Sequence, residues 1–182
     1  SKPAPANITE GEMICTAEEP VFDGHPVGSD NGQGSEISNG WLAGQHFTAS
    51  DGPIGSLDWW GITFGTPPNQ RPYRIIFYDN GANPPASNII AQYDVLVDPI
   101  PTGVVLYGNV FKYHVEFEEP ADVEVGWVTV QSQANDGFIM YWMNTTLINE
   151  GIDPPWFNLG GSVGPYAMCL GGASGGGWRR RT

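Results

Sequence analysis

Glycine and proline interrupt this chain so often that a long helix has little room: 25 Gly and 16 Pro are spread along 182 residues, and both are poor in helix interiors. What remains between them is short. Runs rich in Val, Ile, Tyr, Phe and Trp recur between clusters of Gly, Pro, Asn and Asp, the pattern of strands and turns in a sandwich or barrel. They predict eight strands, at Gly40–Thr48, Leu57–Phe64, Tyr73–Tyr78, Ile89–Val97, Val104–Phe117, Val123–Gln131, Phe138–Met143 and Tyr166–Leu170.

Within the fifth, Tyr113, Val115 and Phe117 share one face while Lys112, His114, Glu116 and Glu118 share the other. Val123, Val125 and Trp127 alternate in the same way with Asp122 and Glu124. One wet face and one dry face is the habit of antiparallel sheets. Glu118-Glu119-Pro120 reads as the break between these two strands. The expectation is an all-β, antiparallel two-sheet sandwich, jelly-roll-like. Residues 1–15 form an extended N-terminal arm, 16–170 the sandwich, and 171–182 a Gly-rich tail ending in Trp178-Arg179-Arg180-Arg181-Thr182. The opening Ser1-Lys2-Pro3-Ala4-Pro5 reads as a mature N-terminus, without the apolar stretch of a signal peptide.

Charge narrows the partners. Twenty acidic residues face seven basic ones, a formal −13. Three of the seven are Arg179, Arg180 and Arg181, so the rest of the chain is more acidic still. Phosphate backbones are bound through Lys and Arg, which argues against nucleic acid and against an anionic membrane surface. No apolar run reaches the roughly 18–20 residues that span a bilayer, so membrane insertion is not expected. Cys15 and Cys169 show neither a CxxC nor a His-flanked pattern. A disulfide in an oxidising compartment is the expected use, and with it an extracellular location.

The segment Tyr73–Ala91, with Asp79-Asn80-Gly81 at its centre, follows the strand Trp59-Trp60-Gly61-Ile62-Thr63-Phe64. It resembles the "IxFYxDNGGxPGxxIA" hairpin and "WWG" strand of accessory domains in bacterial secreted multidomain surface proteins. Pro120–Gln131 and Gly137–Trp142 are similar to that family's next two strands, and Pro84-Pro85-Ala86-Ser87 stands where the family has a Pro-Gly turn. The resemblance implies a jelly-roll or galactose-binding-like sandwich appended to enzymes, adhesins or anchored proteins. Its motifs are packing motifs and speak to fold more than to ligand.

Candidate sites follow from side-chain chemistry. Aromatic rings can stack on sugars, and Trp59, Trp60, Tyr141, Trp142 and Trp156 are the candidates. Adjacent strand residues face opposite ways, so one of Trp59 and Trp60 must be exposed or covered by something outside the core. A structural Ca²⁺ takes oxygen ligands in turns; Asp30, Asn31, Glu36, Asp51 and Asp58 are plausible donors, with Asp79 and Asn80 a second choice. His25, His46 and His114 lack metal or catalytic spacing. Gly172-Ala173-Ser174-Gly175-Gly176 formally matches a nucleophile elbow, but a Gly-rich tail lacks the strand-turn-helix that the motif requires.

Two functions are expected from these readings. The first is an extracellular, non-catalytic binding module for carbohydrate or a cell-surface polymer. The second is a structural subunit of a filament, sheath or surface layer, joined to other copies through its terminal arms. There Trp178, Arg179, Arg180 and Arg181 would dock on a neighbour's carboxylates.

Overall fold

The computed structural model describes residues 13–15, 32–47, 53–85, 87–105, 108–143, 156–159 and 166–172. Among them lie twelve strands, one 3-10 turn at Ile37–Asn39 and no α-helix. The strands are β1 (Met13–Cys15), β2 (Gly32–Gly34), β3 (Leu42–Phe47), β4 (Ile54–Thr63), β5 (Arg71–Tyr78), β6 (Ile89–Val97), β7 (Ile100–Val105), β8 (Asn109–Ala121), β9 (Gly126–Ser132), β10 (Tyr141–Met143), β11 (Trp156–Leu159) and β12 (Met168–Gly172). They form an antiparallel two-sheet β-sandwich. One sheet has five strands in the order β11-β3-β9-β5-β6. The other has seven, centred on β4: β8 pairs along one edge of β4 and carries β7, while β12 and β10 share the opposite edge and carry β1 and β2.

Aromatic side chains fill the space between the sheets. Trp59 of β4 stacks on Tyr113 of β8 at 5.0 Å between ring centroids and meets Tyr73 of β5 edge-on at 5.4 Å. Further along, Phe77 and Phe117 pack edge to face at 5.6 Å, and Tyr93 stacks on Phe117 at 4.1 Å. Such pairs contribute about 0.5–1.5 kcal/mol beyond the area they bury. The alternation of Tyr113, Val115 and Phe117 inward with His114, Glu116 and Glu118 outward is as the sequence predicts.

Several strand ends differ from expectation, among them β4, which starts at Ile54 and not Leu57, and β10, which starts at Tyr141 and not Phe138. Three further differences have a local reason. The predicted strand Val104–Phe117 is a hairpin, in which Val105 of β7 lies opposite Asn109 of β8. Pro120 does not end β8, which runs on to Ala121. The β4–β8 register is irregular there, with Ile54 opposite Ala121 but Ser56 opposite Glu116, and a broken ladder tolerates a residue without an N–H. The next strand starts late, at Gly126, so its pleat is out of phase with Val123 and Val125. Val128 and Val130 face the core, while Trp127 lies on the opposite face against His46. Glycine is required at position 126, where a Cβ would fall 2.1 Å from the carbonyl oxygen of Tyr78.

Short strands β1, β2 and β11 carry no periodic signal and are found only through their partners. β1 is tied to β12 covalently: Cys15 and Cys169 are opposite one another in the ladder and form a disulfide across a separation of 154 residues. Gly171 and Gly172 belong to β12. In the chain-entropy model a loop of this length gives up to about 5 kcal/mol of stabilisation. The Cys15→Ser/Cys169→Ser double variant is expected to keep its β-rich circular dichroism spectrum. It should unfold at a lower urea midpoint, with a loss of no more than that amount and a steeper slope, because the unfolded chain without its cross-link exposes more surface.

Candidate functional site

The sugar-stacking candidates are largely interior. Trp59 and Trp142 are fully buried between the sheets, and the Trp142 indole N–H donates to the carbonyl of Ala167 at 2.9 Å. Trp60, on the opposite face of β4, is also buried, in a second apolar cluster with Ile62, Val104, Val110, Met143, Ala167 and Cys169. These three rings have no face to offer a ligand. Tyr141 is half-buried beside the second cluster, and Trp156 takes its place in β11 opposite Gln45, its side chain lying outside the described residues. The aromatic missed by sequence reading is Phe64, 59% exposed and 6.4 Å edge-on from Tyr141. Its position just past the end of β4 frees it from the pleat, and no periodicity could reveal that.

The calcium donors serve other purposes. Asp30, Asn31 and Asp51 lie outside the described residues, as do Trp178, Arg179, Arg180 and Arg181. Glu36 is buried against Arg71, and Asp58 is buried against His114 and Lys112. The Asp79 carboxylate closes its own loop, accepting from the N–H groups of Gly81 and Asn88 at 3.2 Å and from the Asn88 amide at 2.9 Å. The side-chain carbonyl of Asn80 meets His46 Nε2 at 2.7 Å. Among the described residues no group of three or more His, Cys, Asp or Glu side chains is placed to hold a metal ion. The described carboxylates of that set, Glu36, Asp58 and Asp79, are engaged with cations and N–H donors.

Two buried charge clusters emerge instead. In the first, Arg71 at the start of β5 donates to both carboxylate oxygens of Asp136 at 3.0 Å, to Glu36 Oε1 at 3.2 Å, to the Tyr73 hydroxyl at 3.1 Å and to the carbonyl of Phe138. Burial alone would lower the guanidinium pKa. The Asp136 hydrogen bonds, with Tyr73 and Glu36, outweigh that and hold it above its ordinary value. Burial pushes the Glu36 carboxyl up, opposed by the Met140 N–H and by Arg71. The Arg71 hydrogen bonds draw Asp136 down. This cluster clamps the turn at Glu36 and the loop Asp136–Phe138 onto β5. It is structural, since its cation is fully engaged.

The second cluster lies on the outer face of the seven-stranded sheet, where a single cross-strand row runs Cys15, Cys169, Asp58, His114. Asp58 is 2% exposed at its side chain; His114 Nδ1 contacts its Oδ1, and Lys112 Nζ lies 3.5 Å from its Oδ2. His114 also borders an open cleft of about 440 Å³ with Gln70, Leu96, Val97, Asp98 and Ile100. An aspartate orienting a histidine is half of a nucleophilic apparatus, but no Ser, Thr or Cys lines that cleft. Sequence reading placed His114 on the solvent face; its buried partner is set by the register of β4 against β8.

No family model matches the chain, and no curated protein or solved structure matches it significantly. Function must therefore be read from surfaces. The longest edge strand among the described residues is β6, which there pairs only with β5. Its outer positions include Ile90 and Leu96, 43% and 66% exposed, and Ile89 at its start is 56% exposed. The stretch Ile89–Val97 contains one charge, Asp94, and no Lys, Pro or Gly. The pairing with β5 is irregular at its start, where Phe77 lies opposite Ala91 and Tyr78 opposite Ile89, so the regular part of the edge runs from Ala91 to Val97, guarded by Asp94 alone.

The Arg71 cluster has a defined pH signature. A carboxyl whose folded pKa is depressed contributes stability that is complete above its ordinary value, near 3.8 for Asp136, and is lost as pH falls through the depressed value. Asp136→Asn is expected to cost about 1–3 kcal/mol at pH 7. In urea titrations at a series of pH values, the gap from the parent protein should close below pH 3.8.

Proposed function

We propose that this chain is a non-catalytic extracellular module that takes an extended peptide segment along the edge of β6 and so joins neighbouring copies in an assembly. The observation that carries this reading is the edge itself, nine residues long, without a second paired strand among the described residues and apolar at Ile90 and Leu96. A free edge recruits a strand through backbone hydrogen bonds, with side-chain pockets supplying selectivity. Beside it a cleft of about 280 Å³, lined by Pro72, Arg74, Asp94, Leu96 and Gln133 among others, could receive an alternate side chain. The disulfide fits an oxidising compartment.

Charge and length point to residues 173–182 as the occupant. The body is strongly acidic, and a second acidic surface would be repelled. Residues 173–182 carry Arg179, Arg180 and Arg181 and no acid. A ten-residue segment spans at most ~33–36 Å extended, close to the ~30 Å of a nine-residue strand. The exposed Glu116, Glu118 and Glu119 on β8 are the carboxylates with which those guanidinium groups could pair, since Asp94 on β6 already accepts from Arg74 Nε at 2.8 Å. β8 flanks β6 there, with the Tyr93 hydroxyl donating to the carbonyl of Glu119 at 2.6 Å.

A second reading rests on Phe64 and Tyr141, whose rings form an exposed aromatic pair near Asn109 that could stack on a sugar of a cell-surface polymer. Pull-down on insoluble polysaccharides separates the two readings, because Phe64→Ala removes retention only if the rings are the site.

For the strand-addition reading, a peptide of residues 173–182 is titrated into the chain ending at Gly172, followed by calorimetry. Saturable binding is expected, weaker at high salt and roughly tenfold weaker, about 1.4 kcal/mol, for Leu96→Lys. Absence of binding, or binding indifferent to Leu96→Lys, removes the proposal.

A further inference from the structure

We propose that Lys112 and Asp58 condense into an intramolecular amide that cross-links β8 to β4. Lys112 lies opposite Trp60 in the ladder and His114 lies opposite Asp58, so Lys112 and Asp58 are diagonal neighbours on adjacent strands. The lysine nitrogen is 3.5 Å from Asp58 Oδ2, an ion-pair contact that places the amine beside the carboxyl group whose Cγ it would attack. Two extended strands hold both groups in place, which makes the encounter intramolecular and removes most of its entropic barrier.

The surroundings favour the neutral product. Asp58 is 2% and Lys112 22% exposed at the side chain. The lysine nitrogen sits 5.7 Å from the centre of the Trp60 ring, itself buried with Ile62, Val110 and Cys169. Holding an ammonium and a carboxylate in such a place costs desolvation energy, and an amide carries neither charge. The remaining exposure of Lys112 leaves water a way out.

His114 supplies the proton path. Its Nδ1 contacts the other oxygen of the same carboxyl, and its Nε2 is 3.8 Å from the exposed Glu116 carboxylate. One proton moves from the ammonium to the carboxylate, leaving a neutral amine and a carboxylic acid. The amine lone pair adds to Cγ, forming the N–C bond. His114 then carries a proton from the nitrogen to one carboxyl oxygen, the C–O bond breaks, and water leaves. The balance is ammonium plus carboxylate to amide plus one water, with no net proton, no oxidant and no cofactor. The imidazole ends as it began.

The test is the intact mass of the full chain, denatured and with its disulfide reduced. The expected mass is one water below that of the sequence. Proteolysis should release a branched peptide joining the segments around Asp58 and Lys112. Lys112→Arg should restore the full mass, and Asp58→Ala should give the full mass expected for its own sequence. His114→Ala is expected to accumulate the unlinked chain, and linkage at the parent rate in that variant would remove the histidine from the step. A parent chain at full mass overturns the proposal. So does a water loss that maps elsewhere, such as to a succinimide at Asp51-Gly52. Linkage needs the folded β4–β8 ladder, so the circular dichroism spectrum of each variant is recorded beside its mass, and a full mass counts for the proposal only in a variant that keeps the parent's β-rich spectrum. The mass of the parent chain decides the proposal whatever the variants do.

Discussion

Two adjacent tryptophans on one strand oblige a sheet to be covered on both faces. Trp59 and Trp60 point in opposite directions because successive side chains on a strand alternate, and each is too large and apolar to leave in water at little cost. The five-stranded sheet covers Trp59. The outer face around Trp60 is closed by its own apolar cluster, which includes Cys169 and packs against Cys15. Much of what is particular to this sandwich follows from that second cluster. The disulfide lies in it, β1 is fastened beside it, and Asp58 is buried next to it although its strand could have left it wet.

Burying a second face brings charged groups with it, and the fold answers by pairing them. Arg71 meets two carboxylates, a phenol and a carbonyl, while Asp58 meets a histidine and a lysine. Breaking a buried pair is strongly destabilising because the partner is left uncompensated. Glu36, Asp58 and Asp79, which the sequence offered as calcium donors, are each engaged with partners within the protein. Glu36 secures a turn through Arg71 and the Met140 N–H. Asp79 secures a loop through Gly81 and Asn88.

With three of the rings buried and these described acids engaged, the proposed strand addition takes place at the perimeter. With β11 at the other end of the five-stranded sheet and β1 and β2 at the other end of the seven-stranded one, β6 and β7 are each an edge strand of its sheet. The apolar side chains exposed there, Leu96, Ile100 and Val105, form a border without lysine protection. Strand addition uses backbone groups that every residue carries, so a binding surface of this kind leaves almost no trace in residue identity. Ring stacking is advertised by the residues themselves, and for that reason it led the reading of the sequence. Burial then reassigned three of the five aromatic candidates.

Side-chain periodicity and turn chemistry were enough to read the class of fold, the extent of β6 and the inward face of β8, because a two-residue repeat is set by local backbone geometry. The same locality explains the failures. A pleat restarts after each break, so Trp127 was assigned to the wrong face across the interruption before Gly126, and three-residue strands such as β2 hold too few positions to show a period. The sequence alone also determined the acidity of the body and the supply of two cysteines. Which strands became neighbours was decided by tertiary packing, and with it that Asp58 faces Lys112 and His114, that Glu36 faces Arg71, and that β6 is left at an edge. Those outcomes depend on register between segments far apart in the chain, where the free energy comes from closing two apolar layers and no local preference can specify the partner.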